Sequence, residues 1–112
     1  MMVSQARWEA ERRLMKNIFP AFRPLATNGM IGFHGKLAGK RTGRIYDITI
    51  QAGVYTYPAY EPAVYMTPHP EPHHWINDGR LCYQRDGRVW NPERGTFANT
   101  LLISARYLNE FD

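Results

Sequence analysis

Cysteine occurs once in the 112 residues, at Cys82. A disulfide framework within the chain and a cysteine-rich zinc site are both excluded. No run of roughly 18 apolar residues occurs, so no transmembrane helix is expected. The opening stretch, Met1-Met2-Val3-Ser4-Gln5-Ala6-Arg7-Trp8-Glu9, brings charge early and has no apolar core. That pattern predicts no secretory leader and a cytoplasmic protein. Internal repeats and linkers are missing too. Apolar residues make up 44 % and charged residues 21 %, which rules out wholesale disorder, collagen-like repeats and a coiled-coil rod. A chain this long supports one core, and residues 1–112 are expected to form a single domain.

Charge of either sign is modest: 14 Lys/Arg against 10 Asp/Glu, a formal net charge of +4. The densest basic patch holds Lys36, Lys40, Arg41 and Arg44. It lacks interleaved aromatics for stacking bases, so it reads as a solvated hairpin turn and no nucleic-acid partner is expected.

Residues 4–18 place Trp8, Leu14, Met15 and Ile18 on one broad face, with Ser4 as a cap and Pro20 just past the end. The pattern predicts an amphipathic helix lying on a sheet. Pro20 and Pro24 then break the pattern. Residues 30–37 read as a strand, and the glycines at 35, 39 and 43 surround a basic turn. Residues 45–51 alternate cleanly, with Tyr46, Ile48 and Ile50 on one side, as a half-buried strand does. Residues 63–67 form another short strand, and prolines 58, 62, 68, 70 and 72 confine its surroundings to edges and loops. Residues 68–94 lack periodicity but hold His69, His73, His74, Trp75, Cys82 and Trp90; a long ordered loop in a small domain is usually functional. Residues 96–109 predict a second helix, capped by Thr96, with Phe97, Leu101, Leu102, Ala105 and Leu108 as its buried stripe. Three or four strands in one run with a helix at each end give an α+β domain with an antiparallel meander.

One stretch of about 36 residues carries more than composition. It runs Tyr57-Pro58-Ala59-Tyr60-Glu61-Pro62-Ala63-Val64, then Gly79-Arg80-Leu81-Cys82, then Trp90-Asn91-Pro92. In these residues the chain resembles the ubiquitin-conjugating enzyme (E2) family. That family has Tyr-Pro-x-x-x-Pro-x-Val before a central strand, an active-site loop with His-Pro-Asn, and Gly-x-Ile/Leu-Cys with the catalytic cysteine. A Trp-x-Pro follows, its tryptophan eight residues beyond that cysteine. Here the spacings fit from Tyr57 to Pro92 without a gap.

The departures are specific. Pro72-His73-His74 stands where the family has His-Pro-Asn, so His74 replaces the oxyanion-stabilising asparagine. Tyr83-Gln84 replaces the Leu-Asp that often follows the cysteine. Ala59 replaces the aromatic often used in ligase docking. The sequence ends at Asp112, soon after one helix, which reads as a truncated E2 core. Together these resemble the compact bacterial E2-like proteins of antiviral signalling operons, in which an E1-like/E2-like pair joins a protein C-terminus to a target.

The resemblance implies a UBC-like fold and an enzyme with Cys82 as nucleophile. Composition alone favours a buried thiol at Cys82, and the resemblance reverses that. A thioester carrier needs a thiolate, and Arg80, Arg85 and Arg88 lie close enough in sequence to favour one. Attack by an amine then creates an oxyanion, where one preorganised donor contributes on the order of 3 kcal/mol. His74 has a ring N–H for that role and also a base for the incoming amine, whereas asparagine offers only the first. His73 is the second candidate. His34, in an early strand, reads as structural. His69, His73, His74 and Cys82 also invite a metal reading, but the adjacent His73-His74 pair does not readily face one ion, so neither metal nor cofactor is expected. The implied partners are an E1-like activating enzyme, a ubiquitin-like protein or a signalling enzyme's C-terminus as acyl donor, and an acceptor lysine. The competing reading is a non-catalytic UBC-like binding module.

Overall fold

A computed structural model describes residues 2–68, 76–77, 80–81 and 90–111. Helix α1 spans Gln5–Ile18 and starts as its sequence dictates: the Ser4 hydroxyl accepts from the Arg7 amide at 3.1 Å. The strands are β1 (Arg23–Thr27), β2 (Met30–Ala38), β3 (Ile45–Gly53), β4 (Ala63–Thr67), β5 (Ile76–Asn77) and β6 (Arg80–Leu81), and helix α2 covers Phe97–Phe111. They form one antiparallel sheet in the order β1-β2-β3-β4-β6-β5. This is the expected α+β meander between two helices.

Register assigns each strand a wet and a dry face. Phe33 pairs with Ile50, Ile50 with Val64 and Ile48 with Met66, so all five share the dry face. Ile48, Ile50 and Val64 are fully buried, and each such side chain contributes about 1.5–3 kcal/mol of transfer free energy. Both helices cover this face. The Phe33 ring meets Trp8 of α1 at 5.2 Å and Phe97 of α2 at 5.4 Å, a three-ring junction between helices and sheet. The β2–β3 turn is the solvated basic hairpin that was expected, closed by the Gly39 amide donating to the Arg44 carbonyl at 2.7 Å. Gly43 takes a positive φ of 75° there, which a side chain would resist.

Four expectations are corrected. The stretch around Pro24 is no mere break: β1 forms there, and as the outermost strand it tolerates a residue without an N–H. Residues 68–94 are not wholly loop, since β5 and β6 lie within them. Ile18, expected on the buried face of α1, is the last residue of the helix and is 41 % exposed. Leu102 is 43 % exposed while Thr100 and Ser104 are buried; α2 is rotated so that small polar residues face inward. The Ser104 hydroxyl is satisfied by donating to the Thr100 carbonyl at 2.9 Å. The Thr96 cap is as expected, its hydroxyl accepting from the Asn99 amide at 3.0 Å. No helix among the described residues is long and apolar enough to cross a membrane.

Candidate functional site

The predicted nucleophile Cys82 and the predicted histidines His73 and His74 lie outside the described residues, as do His69, Arg85 and Arg88. Cys82 directly follows β6, whose Arg80 pairs with Tyr65 of β4. Strand β4 ends at Thr67, and the described chain that leads into α2 begins at Trp90.

Trp90 closes the return. Its indole N–H donates to the Pro58 carbonyl at 2.7 Å, and its ring lies 6.2 Å from that of Tyr57. The Tyr57-Pro58 and Trp90-Asn91-Pro92 elements, 32 residues apart between Pro58 and Trp90, therefore touch. Gly95 makes the contact possible, since a Cβ there would fall on the indole. Asn91 organises the next turn: its side-chain oxygen accepts from the Glu93 amide at 2.9 Å and the Arg94 amide at 3.2 Å.

Beneath this contact sits a buried polar cluster. Glu11 of α1 is 2 % exposed. One carboxylate oxygen accepts from Arg7 Nε at 2.9 Å and, in a short bond, from the Tyr57 hydroxyl. The other accepts from the Phe97 amide at 3.0 Å. That amide opens α2, so the carboxylate meets the positive end of the helix dipole. Arg7 reaches further, donating to the Gly95 carbonyl at 2.6 Å, the Pro92 carbonyl at 3.3 Å and the Tyr57 hydroxyl at 3.3 Å. Its guanidinium carbon stands 5.2 Å from the Tyr57 ring centre. Nearby, the Thr100 hydroxyl donates to Glu61 at 3.0 Å.

The electrostatics make this cluster a clamp rather than a reagent. Burial pushes the Tyr57 phenol far above its ordinary range, and its hydrogen bond to the Glu11 carboxylate adds to the rise. Tyr57 is therefore a neutral donor, not a nucleophile. Burial pulls the Arg7 guanidinium down, but its bonds to Glu11 and Tyr57 outweigh that and leave it raised. Arg7 stays a cation. With its donors spread over α1, the 57–58 corner and the 92–95 turn, it ties the return of the 68–90 segment to the body of the fold.

Arg7 and Glu11 escaped the reading of the sequence because charges on α1 were assigned to its wet face. A signal was there: Trp8, Glu11 and Met15 follow one another at helical spacing, which puts Glu11 on the apolar stripe. His34 lies on the wet face of the sheet, as the register of β2 requires, with Nε2 at 2.9 Å from Asp47 Oδ1. No three metal-ligating side chains converge among the described residues. In comparisons with known proteins, no family model, curated protein or solved structure matches the chain.

Proposed function

We propose that the chain is an E2-like conjugating enzyme of compact, UBC-like fold, with Cys82 as its acyl carrier. The observation that carries this reading is the joint spacing of Tyr57-Pro58, Pro62-x-Val64, Gly79-x-Leu81-Cys82 and Trp90-x-Pro92 on an α–meander–α chain, with the first and last of these elements in contact through Trp90 and Pro58. A clamp at that point gives a cysteine-bearing segment a fixed base, and preorganisation of this kind is what acyl transfer draws on.

The chemistry runs in two balanced steps. The Cys82 thiolate attacks the thioester carbonyl of an acyl group held by an E1-like enzyme; a new thioester forms and the E1 thiolate leaves. An acceptor lysine amine then attacks the Cys82 thioester, an amide forms, and the Cys82 thiolate departs. The amine's proton passes to a base. His74 is the residue assigned to that proton or to the oxyanion, with His73 as the second candidate. The acyl donor is a ubiquitin-like protein or the C-terminus of a signalling enzyme, such as a cyclic-nucleotide synthase in antiviral defence.

The test is the intact mass of Cys82→Ser protein co-expressed with its native neighbouring genes, beside wild type. Serine converts a labile thioester into a slower-cleaving ester. The expected result is an adduct on the variant and a thiol-sensitive adduct on wild type, whose mass identifies the donor. Absence of adduct on both, with the neighbours expressed and folded, overturns the carrier role in favour of a binding module.

A further inference from the structure

A second feature lies on the other side of α1. A groove of about 610 Å³ runs between α1 and the chain entering β1. Pocket volumes of several hundred Å³ are ordinary for ligand sites. Arg12, Arg13 and Lys16 of α1 line one wall and Arg23 of β1 the other, with Glu9 the one carboxylate among the lining residues. The lining charge is therefore +3, four cations less one anion, against +4 for the whole chain. All four cations are exposed, and none makes an ion pair among the described residues. Arg12 and Lys16 stand four residues apart and Arg13 and Lys16 three apart, spacings at which like charges repel on a helix. An anionic occupant would relieve that repulsion.

The floor narrows the chemistry. Pro20, Ala21 and Pro24 add apolar surface beside Phe22 and Phe33. The Phe22 ring lies flat on β2 because Gly35 has no side chain; a Cβ there would come within 2.6 Å of it. Phe22 and Phe33 are only 6 % and 1 % exposed, so no ring in the groove is free to stack a base. Cationic walls over an apolar, ring-poor floor suit a peptide in which acidic residues flank an aliphatic side chain, and suit nucleic acid poorly.

We propose that this groove docks an acidic peptide segment of a partner protein, its carboxylates on Arg12, Arg13, Lys16 and Arg23 and an aliphatic side chain over Pro20, Ala21 and Pro24. The site stands apart from the Arg7–Glu11 clamp and does not depend on acyl transfer at Cys82.

The experiment is fluorescence anisotropy with the full chain and a labelled twelve-residue peptide of Asp, Glu and Leu. Two variants carry equal charge change, each taking the net charge from +4 to 0: Arg13→Glu/Lys16→Glu in the groove, and Lys40→Glu/Arg44→Glu in the β2–β3 turn. Saturable binding is expected for wild type, weakened about tenfold or more in the groove variant and changed less than about twofold in the turn variant. A peptide with Lys and Arg replacing Asp and Glu should reverse the preference for the groove variant. Circular dichroism melts of both variants establish that they fold. No saturable binding to wild type, equal losses in both variants, or tighter binding of a single-stranded thymidine oligonucleotide than of the peptide would each overturn the proposal.

Discussion

Replacing Glu11 by glutamine keeps the size of the side chain and removes its charge, so it probes the buried clamp with little change in packing. The carboxylate accepts three hydrogen bonds from Arg7, Tyr57 and the Phe97 amide while 2 % exposed. A glutamine has one acceptor oxygen. If that oxygen keeps Arg7 and Tyr57, its NH2 group faces the Phe97 N–H, which becomes a buried donor without an acceptor at about 1–3 kcal/mol. The bond from Arg7 also loses its charge assistance. The Arg7 side chain is 24 % exposed and partly screened by water, so this adds about 1 kcal/mol. The expected destabilisation is about 2–4 kcal/mol, a large share of the roughly 5–15 kcal/mol typical of a domain. Urea unfolding followed by tryptophan fluorescence measures it as a lower midpoint at unchanged slope. Glu9→Gln, one turn-face away and exposed, serves as the control and should stay within about 0.5 kcal/mol of wild type. If Glu11→Gln unfolds at the same urea concentration as Glu9→Gln, the clamp contributes nothing and the reasoning is wrong.

The other expectations concern the same framework. Tyr57 keeps its proton when folded, whereas an unfolded tyrosine releases it near pH 10; its contribution is complete below about pH 10 and is lost as pH rises beyond that, by about 1.4 kcal/mol per pH unit. Urea melts between pH 9 and 11.5 should therefore show a steeper alkaline loss for wild type than for Tyr57→Phe, and parallel curves would refute this linkage. Gly95→Ala places a methyl group against the Trp90 indole, so a loss of about 1–3 kcal/mol and a changed tryptophan emission are expected; unchanged emission and stability would mean that Trp90 is not seated there. Ile18→Lys and Leu102→Gln, both at exposed positions, should each shift stability by less than about 0.5 kcal/mol in thermal melts, and a loss above about 2 kcal/mol in either would place that side chain in a core.

Local chemistry made most of the architecture legible. Ser4 and Thr96 announce helices because a hydroxyl at that place satisfies an amide the helix leaves open, and both do so here. The strict alternation of residues 45–51 fixes which side of β3 is dry, and the register carries that assignment to β2 and β4. What escaped notice depends on partners distant in sequence. Pro24 looks like a breaker until β2 lies on one side of it and solvent on the other. Glu11 looks like a solvated charge until Tyr57 and Phe97, 46 and 86 residues away, converge on its two oxygens. Leu102 looks like core until Thr100 and Ser104 occupy the inward face of α2. The candidate site divides along the same line. Tyr57-Pro58 and Trp90, singled out by their spacing, lie among the described residues and are in contact there. The half proposed to react, Cys82 with His73 and His74, lies outside them, and the proposal for it rests on residue identity and spacing. Arg7 and Glu11 anchor the 92–95 turn and the start of α2 to α1 and to the 57–58 corner, contacts that a sequence read one element at a time does not announce.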